Sequence, residues 1–165
     1  MTFMMSVYAV KRNYEKKADL KAPKEITAAI RKLQAAKPTP GSVTMLAQLD
    51  LIEFAAANQW DKFTAKVDAV MEDSNFPRKD QFVVTAANDV VTAAPAKYYP
   101  VAEKWVNQLQ KTAGDFTNIQ LTDLRKRILK KQGKTAEAEA MAAKAMELRK
   151  EAGKKGQMTP PIMND

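Results

Sequence analysis

The chain contains no cysteine and no histidine. Without cysteine, disulfides, thiol nucleophiles and thiolate metal sites are excluded. Without histidine, the commonest general acid–base group and the commonest metal ligand are both missing, and zinc sites of the usual kinds cannot be built. Serine is scarce, at Ser6, Ser42 and Ser74, and no imidazole exists to activate it. No GxGxxG, GxxxxGK[ST] or GxSxG pattern occurs, and no spaced acidic loop resembles an EF-hand. The pairs Asp50/Glu53 and Asp61/Asp68 have ordinary helix-surface spacing. These absences lead to the expectation that the chain is not an enzyme and carries no cofactor or metal.

Glycine is also rare, at five residues in 165, whereas Ala, Lys, Glu and Leu are frequent, which favours helix throughout. No apolar run reaches the roughly 18 residues needed to span a bilayer. Residues 1–10 are apolar but short, with no basic residue before them, and make a poor signal peptide. A processed product and an excised fragment are both compatible with that start.

The net charge is +8 and is unevenly placed. Residues 1–37 hold nine Lys and Arg against three Asp and Glu, residues 38–120 seven against ten, and residues 121–155 eleven against five. Two basic ends flank a mildly acidic middle. Such an asymmetry can steer an anionic partner; the plainer alternative is a solvated Lys-rich helical surface.

Punctuation divides the chain. Residues 1–22 read as an N-terminal helix or flexible arm, 23–152 as a helical repeat domain, and 153–165, with Gly153, Gly156, Pro160 and Pro161, as a disordered tail. Pro23 opens a helix that carries Ile26, Ile30 and Leu33. Pro38, Pro40 and Gly41 break it. Ser42 or Thr44 is positioned to cap the next helix, with Met45, Leu46, Leu49, Ile52 and Ala56 on its apolar stripe and Glu53 as the exception. Trp60, Phe63, Val67 and Val70 form the following stripe. Residues 78–93 are rich in β-branched and aromatic residues, yet Phe82, Ala86 and Val90 repeat every four, and the spacing predicts helix. Pro100 opens or kinks a helix whose stripe is Ala102, Trp105, Val106 and Leu109. Thr117 with Gln120 reads as a capping box, before Leu121, Leu124 and Ile128. Gly133 stops that helix, and the last one runs from about Thr135 to Ala152 with Ala138, Met141, Ala142, Ala145 and Leu148 on its inner stripe.

Three segments echo one another: NQWDKFTAKVDAVM (58–71), PAKYYPVAEKWV (95–106) and GKTAEAEAMAAKAM (133–146). Each follows a break and sets small or apolar residues on one stripe. Val67, Ala102 and Ala142 lie 35 and then 40 residues apart, a period in the range of stacked helix–turn–helix units. The last unit resembles a tetratricopeptide repeat: Gly133 is followed at five and twelve residues by Ala138 and Ala145, the small positions of that repeat's second helix, and Leu129 fits its large position. Arg125 and Lys126 depart from the family's Leu and Gly. The resemblance implies an all-α fold, a right-handed α-α superhelix of stacked antiparallel helix pairs. Residues 126–156, KRILKKQGKTAEAEAMAAKAMELRKEAGKKG, also resemble the helical region after the thioredoxin domain in some Bacteroidetes thioredoxin-family proteins. The redox Cys-x-x-Cys is absent, so on that resemblance the chain is a non-catalytic appendage, periplasmic if it derives from such a precursor and otherwise cytoplasmic.

The expected function is protein–protein interaction or scaffolding, with a peptide or partner domain bound in a helical groove. Trp60, Phe63, Tyr98, Tyr99 and Trp105 could line that groove, although at helical spacing Trp60, Phe63 and Trp105 read more readily as core knobs. Tyr98 and Tyr99 are adjacent, so on one helix only one of them can face inward. Arg125, Lys126, Arg127, Lys130 and Lys131, with Lys134, form a basic cluster on a first helix, the place from which tetratricopeptide-like carboxylate clamps take their side chains; a solvated face is the ordinary alternative. A second reading is a nucleic-acid or anionic-surface binder using the basic ends, but no aromatic residues interleave the cluster to stack on bases.

Overall fold

A computed structural model describes residues 21–39 and 41–163, with side chains from Thr27 onward. The expected N-terminal helix or arm, 1–22, lies almost wholly outside the described residues. Seven α-helices follow, with no strand among the described residues: α1 (Lys21–Ala36), α2 (Ser42–Ala56), α3 (Trp60–Glu72), α4 (Lys79–Ala93), α5 (Tyr99–Leu109), α6 (Asp115–Lys131) and α7 (Thr135–Lys154). A 3-10 turn, Ala96–Tyr98, precedes α5. The fold is all-α, and the β-rich stretch is helix α4. The chain divides into two compact units at Arg78/Lys79.

In the first unit α2 packs against both α1 and α3. Ile30 and Leu49 are buried together, with Met45, Leu46 and Ile52 partly buried against them. Because α2 has a neighbour on two sides, Leu51, off the expected stripe, is buried as well. Leu33, on the expected stripe of α1, is half exposed at 50%. Glu53, the polar exception in the α2 pattern, is held by Arg31 of α1 at 2.9 Å. Arg31 also reaches Asp50 at 2.7 Å, and Lys66 of α3 reaches Asp50 at 2.9 Å. Partial burial works against the Arg31 charge, but the hydrogen bonds to Asp50 and Glu53 outweigh it and raise the Arg31 pKa above its usual value. The network ties three helices, yet each partly exposed pair is worth only about 0.2–1 kcal/mol. On α3, Trp60 and Phe63 meet at 5.1 Å between ring centroids, and Phe63 and Val67 are fully buried.

In the second unit α6 touches α4, α5 and α7. Its buried residues accordingly lie all round it: Ile119, Leu121, Thr122, Asp123, Leu124, Arg127, Ile128 and Leu129. The packing with α7 is the most extensive. There Ala138, Ala145 and Ala152 are buried at seven-residue spacing, and their small side chains let the two backbones approach closely. Met141, Ala142 and Leu148, expected on the same stripe, are only half-buried. Pro100 opens α5 rather than kinking it.

Two helix starts differ from expectation. Gly41, not Ser42 or Thr44, is the N-cap of α2, and it makes no side-chain cap bond; Ser42 Oγ instead accepts the Thr39 N–H at 2.7 Å. The N-cap of α6 is Gly114 in extended geometry, three residues before Thr117, so Thr117 stands inside the first turn. Asp115 there faces the positive end of the helix dipole.

The α2–α3 and α6–α7 turns share one construction. Asn58 (φ 54) and Gly133 (φ 75) are left-handed, and the next residues close six-residue bonds, Gln59 N–H to Phe54 O at 2.8 Å and Lys134 N–H to Leu129 O at 2.9 Å. These are Schellman closures. A Cβ at Gly133 would meet nothing within 4 Å, so Gly133→Ala tests backbone conformation alone. It is expected to cost about 1 kcal/mol in urea unfolding, and Gly133→Asn less. An Ala variant as stable as the parent would argue against the left-handed turn.

Gly156 (φ 67) ends α7 the same way, with Gln157 N–H bonded to Ala152 O at 2.9 Å. The chain turns back, but Pro160 and Pro161 keep it from starting another helix. Of the expected disordered tail, 153–165, Gly153 and Lys154 belong to α7; residues 157–163 carry no regular structure, and Pro160 is buried.

Candidate functional site

The expected groove aromatics lie in the interior. Trp60 is 4% exposed, and Phe63 and Trp105 are fully buried. Tyr98 and Tyr99 are both buried as well, at 7% and 9% exposure. The rule that adjacent residues face opposite ways holds within one helix, but Tyr98 closes the 3-10 turn and Tyr99 opens α5. The change of helix type between them lets both rings turn inward. The Lys97 ammonium lies 4.7 Å from the centre of the Tyr98 ring.

The basic cluster separates into inner and outer members. Arg127 is 8% exposed and serves α4: its Nη1 donates to Asn88 Oδ1, and its Nη2 to Thr92 Oγ1 at 3.3 Å. It is a packing residue of the second unit. Arg125 and Lys126 are half-buried, and Lys130, Lys131 and Lys134 are exposed. Arg125 Nε is buried with no hydrogen-bond partner among the described residues. Lys130 and Lys131 occupy the last turn of α6, where the helix dipole favours cations; that accounts for part of their placement without a ligand.

A second set of residues, not singled out from the sequence, completes this region. Asp123 of α6 is 2% exposed and pairs with Arg149 of α7, whose side chain is 16% exposed. Both guanidinium Nη atoms donate to the carboxylate, Nη2 to Oδ2 and Nη1 to Oδ1 at 3.3 Å. The tail docks on the same face. Arg149 Nη2 lies 3.5 Å from Pro161 O, and Lys126 Nζ donates to Met163 O at 3.2 Å. Lys155 at the end of α7 meets Asp115 at the start of α6 at 3.1 Å. One sequence signal pointed here: Asp123 is the single acid in Leu121–Lys131, a stretch with five basic residues.

What this face does chemically is donate from Lys126 and Arg149 to carbonyl oxygens of a segment without regular structure. An open depression of about 570 Å³ also lies along α5, lined by Pro100, Glu103, Lys104, Asn107, Gln108 and Lys111. Those residues all come from α5 and the turn just after it, so it has a floor without walls. Among the described residues no cluster of acidic side chains could hold a metal ion, and no helix is long and apolar enough to cross a membrane. No protein-family model matches the chain, and neither a curated protein nor a solved structure matches it.

Proposed function

We propose that the chain is a non-catalytic protein-interaction module, tetratricopeptide-like in plan, that binds an extended segment of a partner protein on the α6–α7 face. Stacked antiparallel pairs are supported by the packing of the second unit, where α4 meets α5, α6 meets α7, and α6 meets both members of the preceding pair. The matching turns at Asn58 and Gly133 support the repeat, since they stand 75 residues apart, the same interval as Val67 and Ala142. The resemblance of residues 126–156 to a thioredoxin-associated helical region fits a module of this kind attached to other domains.

The observation that carries the reading is Lys126 and Arg149 donating to main-chain carbonyls of a non-helical segment. Main-chain recognition by fixed donors supplies affinity, and nearby side chains supply selectivity. Arg125, Lys130 and Lys131 border the same half of α6 and would favour an acidic partner segment.

A photo-cross-linker at Lys134 tests this. It is expected to trap a protein from native lysate, and the adduct survives nuclease. Joint reversal of Arg125, Lys130 and Lys131 to Glu is expected to lower its yield about tenfold or more, as loss of rim charges slows encounter. A nuclease-sensitive adduct that disappears steeply with salt would replace this reading with polyanion binding through the basic ends.

A further inference from the structure

The tail occupies the face that the proposed partner would need. We infer that residues 157–163 are a displaceable occupant, bound in cis, of a site for extended proline-containing peptides, and that they restrain the module until a competing segment replaces them. The inference rests on the peptide-binding reading above and adds its ligand class and its regulation.

Three observations carry it. First, the contacts that hold the tail are not specific to its sequence: Lys126 and Arg149 bind carbonyl oxygens of Met163 and Pro161, and every peptide offers carbonyls. Second, the tail is weakly anchored. Pro160 is buried, but Met158 and Ile162 are 84% and 63% exposed, so most of its apolar side-chain surface stays in water. A permanent strap would bury those side chains. Third, Pro160 and Pro161 hold the segment extended before it binds, so little chain entropy is lost on docking, and a competitor with the same feature gains the same advantage. The αL residue Gly156 marks where the segment leaves α7.

The chemistry defines the competitor: an extended peptide with one proline to fill the Pro160 position and free carbonyls one and three residues further on. Side chains between those points face solvent and are free to vary. Because the tail is tethered, a competitor in trans faces an effective tail concentration on the millimolar scale.

The absence of cysteine makes the test clean. Ile162→Cys in the 165-residue chain gives one labelling site at an exposed position. A nitroxide there is expected to broaden the amide resonances around Lys126 and Arg149. A synthetic peptide with the sequence of residues 157–165, at about 10 mM to exceed the tethered segment, is expected to restore those resonances. The same peptide with both prolines replaced by Ala is expected to do so at least several-fold less well. Lys126→Ala is expected to reduce the initial broadening, because the tail loses one of its two side-chain anchors. No broadening in the free protein would overturn the inference, because the tail would not be docked. Broadening that persists at saturating peptide would overturn it too, because the tail would then be a fixed strap. Either result leaves the cross-linking test at Lys134 to decide the interaction reading on its own.

Discussion

Arg149→Ala is expected to destabilise the protein by about 3–5 kcal/mol, the loss typical when one partner of a buried ion pair is removed. The cost comes chiefly from the group left behind. The Asp123 side chain is 2% exposed, and Arg149 is its ion-pair partner across the α6–α7 contact. Without the guanidinium, a buried carboxylate is left without its ion-pair partner. The pair itself need not be strongly stabilising, because taking two charges out of water offsets much of their attraction. The double variant Asp123→Leu/Arg149→Met removes both charges and keeps apolar volume, and is expected to lie within about 2 kcal/mol of the parent, on either side. Urea unfolding followed by circular dichroism measures both. A loss under about 1 kcal/mol for Arg149→Ala, the scale of an exposed pair, would mean that the two side chains meet in solvent. The tail also loses a contact in Arg149→Ala, but a 3.5 Å bond to a carbonyl is too weak to supply a loss of this size.

The positions of the helices were legible from local chemistry, and the surroundings of particular residues were not. Pro38, Gly41, Asn58, Pro77, Pro95, Gly114 and Gly133 lie between helices, because the backbone conformations of turns are local requirements. The stripes Phe63–Val67–Val70 and Ala102–Trp105–Val106–Leu109 are buried as the spacing predicts. Periodicity tells which face of a helix meets a neighbour when there is one neighbour. Helix α6 has three, and its basic side is partly enclosed: Arg127, read as a candidate clamp, reaches Asn88 and Thr92 instead. Tyr98 and Tyr99 defeated the same logic for another reason, a change from 3-10 to α-helix between adjacent residues. Asp123 and Arg149 are 26 residues apart, so their pairing depends on helix register, which no local pattern encodes. The docking of the tail was the least legible feature, because its contacts are made by carbonyl oxygens that every residue possesses.

Trp105→Ala is expected to cost about 3–5 kcal/mol, the range for removing a fully buried aromatic side chain. Trp105 is 0% exposed, with Ala102, Val106 and Leu109 of the same helix also buried. Its indole is among the largest fully enclosed side chains of the described residues, so the void left by truncation is correspondingly large, and neighbours fixed on helices α4 and α6 can collapse into it only in part. Lys111→Ala, just beyond the exposed side of the same helix, is expected to change stability by less than about 0.5 kcal/mol. The comparison also separates the two roles the sequence allowed for the aromatics. A groove tryptophan would lose partner affinity on truncation and leave the unfolding midpoint nearly unchanged. A core tryptophan shifts the midpoint, and partner capture follows only through the fraction of chain that remains folded. After the substitution Trp60 is the only tryptophan left, and it belongs to the first unit, so unfolding of the second unit has to be followed by far-ultraviolet circular dichroism. A midpoint unchanged in urea would place the indole at the surface and return it to the list of candidate contacts.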